Sequence, residues 1–167
     1  MIDREHVRLM ANYNGWMNRK VYEAAARLSE AERTRERGAF FGSIHRTLDH
    51  ILFGDRAWLG RFTGREYDIS SKDGHLHADF AELLAARRAM DDDILVFADA
   101  VTHDWLASET TWTSGMDGET RTRPNAALVT HMFNHQTHHR GQVTTLLAQA
   151  GEDVGSTDLP WGPFYTY

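Results

Sequence analysis

An all-α protein built as a four-helix bundle is the fold this sequence predicts. Four segments of about 20–26 residues repeat their apolar positions at three- and four-residue spacing. Only 3 prolines interrupt the chain, so helices of that length can run unbroken. Helices of this number and length bury their apolar stripes against one another as a bundle. At 167 residues the chain suits a single domain, taken as 1–167, around one core.

The first helix is expected from about Asp3 to Leu28, on the spacing of Met10, Tyr13, Met17, Val21 and Leu28. Asp3 is a candidate N-cap, and Gly15 weakens the middle. The second runs from about Ser43 to Phe62, with Ile44, Leu48, Ile51, Leu52, Leu59 and Phe62 as its stripe. Ser43 can cap it and Gly64 follows its end. The third spans about Asp79 to Val101, with Phe80, Leu83, Leu84, Ile94, Phe97 and Val101 facing the core. Residues 106–124 break the helical period. There TTWTSGMDGETRT sets two threonine-containing runs about Gly115 and Gly118, which predicts a short hairpin inserted before the last helix. The fourth helix follows Pro124–Asn125 and runs to about Ala150, with Gly151 as its stop. The aromatic tail DLPWGPFYTY reads as irregular chain laid on the bundle. The connections 63–78 and 102–124 are long for simple antiparallel neighbours, so at least one crossover is expected.

Composition removes several function classes. The net charge is −6 and the basic residues form no stripe, which argues against nucleic acid as a partner. No apolar run approaches the roughly 20 residues that cross a membrane. The opening MIDREHVRLM lacks the pattern of a secretory signal, so the expected location is the cytoplasm. Without cysteine, thiolate metal sites, disulfides and a protein thiol nucleophile are excluded. A transition-metal site must then use nitrogen and oxygen ligands, which admits Zn, Ni, Fe, Cu or Mn.

The fourth helix carries the most informative pattern, His131, His135 and His139 at successive four-residue steps, with His138 beside the last. Residues at i and i+4 share a helix face, so two such imidazoles can bind one ion from a rigid scaffold. At about 100° per residue, His139 falls near the centre of the stripe of Leu128, Val129, Met132, Val143, Leu146 and Leu147. His135 falls inside its edge, and His131 and His138 lie further out. Two neutral imidazoles on an apolar face with nothing to bind would carry a polar burial cost. A third ligand must come from elsewhere in the fold, and the second helix offers His45 and His50. His45 lies nearer the apolar stripe there, and His50 lies on a second face with Thr47, Gly54 and Ala57. Geometry leaves that choice open. The segment HQTHH is not the protease motif HExxH, because Gln136 stands at the place of its general base. Carboxylate-bridged di-iron spacing, phosphate-binding glycine loops and a nucleophile elbow are also missing.

The segments SIHRTLDHILFGDRAWLGRF and FNHQTHHRGQVTTLLAQAG resemble the DinB/YfiT-like family of proposed metalloenzymes. MANYNGWMNRKVYEA is similar to that family's first helix and TDLP to its closing segment, so the resemblance covers nearly the whole chain. It implies an up-down-down-up bundle, often dimeric. It also implies a metal triad of one histidine from the second helix and two from the fourth. Matched by motif, the triad falls on His50, in TLDH, and on His135 and His139. The family's activities include transferases and isomerases that use low-molecular-weight thiols, and many members have no assigned reaction.

Three imidazoles leave an open coordination position, and Zn and Ni rank first for it, with Fe and Mn behind. An ion there can hold a thiol as the nucleophilic thiolate or lower the pKa of a water to about 7. The leading expectation is therefore metal-assisted transfer of a small thiol to an electrophilic small molecule. Metal-dependent hydrolysis ranks second, since no general base is placed by sequence and Asp49 points elsewhere on its helix. A metal- or ligand-binding stress protein without turnover is the third expectation. Arg140 and Gln142 read as anchors of the fourth helix, and Trp16, Trp58 and Trp161 as core or groove lining. Tyr13 and Asn14 could reach a pocket, although nothing in the sequence shows it, and His75, His77 and His103 are expected in solvent. By analogy with the family, a homodimer would bury apolar residues of the first two helices.

Overall fold

The computed structural model describes residues 2–71, 74–115 and 117–165. It is mostly helical. The long helices are α1 (Arg4–Arg27), α3 (Ile44–Thr63), α4 (Phe80–Ala100) and α6 (Asn125–Gln149). They begin and end within a residue or two of the limits read from apolar spacing. Their start signals act as chemistry requires. The side chains of Asp3, Ser43 and Asp79 accept hydrogen bonds from the free backbone N–H groups of His6, Arg46 and Glu82. Gly64 ends α3 with φ of 72°, a left-handed cap that glycine adopts without a Cβ penalty. α6 has no side-chain cap at Pro124. Its start is tied down by Asn125, whose amide donates to the Trp105 carbonyl at 2.8 Å.

Two short helices, α2 (Glu30–Thr34) and α5 (His103–Ala107), add to the four expected ones. Five residues are too few to show a period, but the Ser29 and Thr102 side chains cap them. The insertion is the expected hairpin. Strands β1 (Glu109–Thr113) and β2 (Thr120–Pro124) pair antiparallel, with Thr111 opposite Thr122. Facing threonine hydroxyls of that pair meet at 2.7 Å.

Helix α1 packs on α4 and α6, and α3 packs on α6 and α4. The shared core includes Val21, Ile44, Leu52, Leu83, Val129 and Leu147, all essentially removed from solvent. A polar chain runs through it. Asn18 donates to Asp91 at 2.7 Å, Asp91 pairs with Arg87 at 2.9 Å, Arg87 bonds Asp55, and Gln136 donates to Asp55 at 2.6 Å. A second buried bond joins Arg140 to Asn14. Burial pushes the Asp55 carboxyl up against the opposing pull of Arg87, and lowers Arg140 to about 10. The tail lies against α1 as expected, Trp16 meeting Phe164 at 6.2 Å and the Tyr13 hydroxyl bonding the Thr157 carbonyl at 2.7 Å. Trp161, expected as core or groove lining, is instead 68 % exposed, because the short 3-10 turn Leu159–Trp161 carries it outward. Among the described residues no helix is long and apolar enough to cross a membrane.

Candidate metal centre

Helices α3 and α6 lie side by side, and their contact brings three histidines together. His50 comes from α3, and His135 and His139 come from successive turns of α6. One ring nitrogen from each lies within 4.8 Å of the others, a set that can hold a metal ion. The His50 and His135 Nε2 atoms are 3.0 Å apart. The space between the rings exists because residue 54 is glycine. A Cβ at Gly54 would stand 2.7 Å from His135 Cε1. The small-residue face of α3 therefore makes room for an imidazole from the neighbouring helix.

The environment keeps these rings neutral. Burial, then the His139 ring, lowers the pKa of His50 to about 4. Burial followed by His139 and His50 lowers His135 to about 3, and burial also lowers His139. Neutral imidazole is the form that ligates a metal. His139 Nδ1 donates to the Gln142 side-chain oxygen at 2.8 Å, which leaves the Nε2 lone pair free. Gln142, one turn on, thus orients a histidine of the cluster. The amide of Gln142 also reaches His138 at 3.4 Å.

Aromatic side chains cover the cluster. The segment between α2 and α3 turns tightly at Ala39–Gly42, with Phe40 and Phe41 at its apex. Phe41 stacks on the His50 ring with centroids 3.8 Å apart, and presents its edge to His139 at 5.4 Å. Nothing in the sequence period marked this segment. Beside His50 opens a cavity of about 450 Å³, lined by Phe40, Phe41, Phe53, Arg46, Asp49 and neighbouring residues.

The remaining histidines are not members of this set, although the His138 ring lies 4.8 Å from that of His139. His45 is buried and bonds the His77 carbonyl at 2.8 Å, so it fixes the α3–α4 connection. His131 packs on Trp58 at 5.1 Å between ring centroids. His138, His103 and His6 are exposed. His75 and His77 are half-buried rather than solvated, because Asp49 accepts hydrogen bonds from the backbone N–H groups of Leu76 and His77 and draws that loop in. Asp49 borders the cavity, but both its oxygens are engaged in those bonds. Tyr13 and Asn14 do not line the cavity; they bond the tail and Arg140 respectively. Gln136 turns away from the cluster toward Asp55. The grouped histidines are accompanied by no carboxylate ligand among the described residues.

A model of the DinB family matches residues 1–166. The chain is similar to Protein DinB of Bacillus subtilis (strain 168), 26% identical over 153 residues that cover 87% of each chain. Its fold resembles the crystal structure of a DinB-like protein from Bacillus cereus ATCC 10987, with a TM-score of 0.64 and 21% identity. That likeness covers 84% of this chain and 90% of the other.

Proposed function

This chain belongs to the DinB family, and from that premise we propose that it is a divalent-metal-dependent enzyme joining a small thiol to an electrophilic small molecule. The observation that carries the reading is the convergence of three neutral imidazoles within 4.8 Å beside an open cavity. His50, His135 and His139 are the ligands, and Zn or Ni suits their all-nitrogen set. An ion held there would supply Lewis acidity that favours the thiolate form of a thiol.

The protein's own groups do the rest. Gln142 fixes the tautomer of His139. Phe41 shields the rings on the His50 side. Asp49, with both oxygens engaged by backbone N–H groups, holds the cavity wall. Among the described residues no free carboxylate stands beside the triad, which supports thiol transfer over hydrolysis, because a thiolate attacks without a general base. The same premise extends to the architecture, a single domain over 1–167 in which the four long helices form an up-down-down-up bundle. It extends also to a cytoplasmic homodimer, for which gel filtration at several concentrations is the check.

The test is elemental analysis of untagged protein beside a His50/His135/His139 triple-alanine variant, followed by a screen of thiols with electrophiles. Near-stoichiometric metal that the variant loses, with turnover that a chelator abolishes, is the expected result. Metal absent from both proteins after loading would overturn the reading. Bound metal with tight ligand binding and no turnover would make the protein a binding module.

A further inference from the structure

One face of α3 is built differently from the rest of the helix. Arg46, Asp49, His50 and Phe53 follow the i, i+3, i+4, i+7 spacing, and all four line the cavity beside the triad. The opposite face, with Ile44, Leu48, Ile51 and Leu52, belongs to the core. Phe40 and Phe41 supply the facing wall. The cavity is therefore aromatic in its body and charged at its margin.

The charges of that margin are not equivalent. Asp49 has both oxygens bonded to the Leu76 and His77 N–H groups. Glu36 accepts from the Gly38 N–H at 2.8 Å, and its other oxygen lies against Gly42. The Arg46 guanidinium has no hydrogen-bond or ion-pair partner among the described residues. It stands in the first turn of α3, which carries no acidic residue, so the positive end of a 20-residue helix adds to its charge. Arginine at such a place presents a planar fork that matches a carboxylate. The guanidinium and the triad member His50 are one helical turn apart along the same wall.

We infer that this cavity takes a small monocarboxylate with an apolar or aromatic body, its carboxylate held by Arg46 and its other end turned toward the histidine triad. The inference rests on the reading of the cavity as the substrate site of a metal centre, and it names the substrate class. A volume of about 450 Å³ accommodates a ring or a short alkyl chain with its carboxylate. Phe40, Phe41 and Phe53 offer that body apolar surface.

The test is calorimetric titration with 3-phenylpropionate and with its uncharged amide, at neutral pH. Wild type, Arg46→Gln, Arg46→Lys and Glu36→Gln are each compared as metal-loaded and chelator-treated protein. The acid should bind at least about tenfold more tightly than the amide, the size of one charge-assisted hydrogen bond in an open cavity. That preference should vanish in Arg46→Gln, persist in part in Arg46→Lys and increase in Glu36→Gln. The chelator-treated arm separates this inference from the metal reading, since no ion is then present to take the carboxylate. Retention of the preference without metal supports Arg46 as the anchor even if the protein proves to bind no ion. A preference that disappears with the metal while Arg46 is intact would assign the carboxylate to the ion and overturn the inference. Equal binding of acid and amide, or no binding of either, would also overturn it.

Discussion

Replacing Gly54 with alanine puts a methyl group where His135 already stands. The added carbon would lie 2.7 Å from His135 Cε1 and 3.1 Å from Nδ1. Carbon atoms rest at about 3.5–4.0 Å, so the ring must retreat by about 1 Å. The ring can do so, because it turns on two side-chain bonds while the helix backbone stays in place. The fold should therefore survive. Alanine gains about 1 kcal/mol of helix propensity over glycine, against an overpacking cost of about 1–3 kcal/mol. Metal binding has no such slack. Ligand positions tolerate about 0.2 Å, and a 1 Å retreat carries His135 out of the 3.0 Å approach to His50. Competition with a chromogenic chelator should show affinity reduced by at least about 10–100-fold, the range for disturbed ligand orientation. Gly141→Ala in α6 is the control. Nothing lies within 4 Å of its added carbon, so affinity should hold while stability rises by about 0.5–1 kcal/mol. A Gly54→Ala protein that melts cooperatively and binds metal like wild type would refute this account of the site.

Three more outcomes are expected. Gln142→Leu removes the acceptor that fixes His139 Nδ1–H, and should weaken metal binding by about tenfold with little change in melting temperature. In metal-free protein the His135 pKa is lowered from 6.5 to about 3, so the unfolded chain takes up its proton first. Stability should fall as pH drops from 6.5 toward about 3, and His135→Gln should show a shallower fall in melting temperature over that window. Asp55→Ala removes a partner of the buried Arg87 and of Gln136, and should cost about 3–5 kcal/mol in urea unfolding.

The long helices were legible because each signals itself twice, by an apolar period and by a polar residue just ahead of it. The pair His135 and His139 was legible for a related reason, since both lie on one helix and their angle to the apolar stripe follows from residue count. The partner from α3 was not fixed by geometry. His45 and His50 each had a plausible face, and the deciding feature is the room that Gly54 leaves for a ring on another helix. Gly54 sits one turn after His50, so the signal was present but needed knowledge of which helix faces α3. The cover formed by Phe41 left no trace, because a tight turn has no period. Helix α2 did leave one, the Ser29-x-x-Glu32 spacing of a cap. The buried chain from Asn18 through Asp91, Arg87 and Asp55 to Gln136 was invisible for another reason. Each member reads as an ordinary polar residue on its own helix, and its partner lies far away in sequence.

Gln136 and Arg140 each follow one of the two α6 histidines by a single residue, about 100° around the helix. A helix held only by leucine, valine and methionine can turn about its own axis at small cost, since one apolar side chain replaces another in much the same space. Gln136 and Arg140 remove that freedom, because each bonds a fixed acceptor on a neighbouring helix, Asp55 on α3 and Asn14 on α1. They set the azimuth of α6 as a key sets a shaft. The histidine face then points at α3 whatever happens at the apolar positions. Residues lining the cavity can then change while the angle at which the α6 imidazoles meet His50 stays constant.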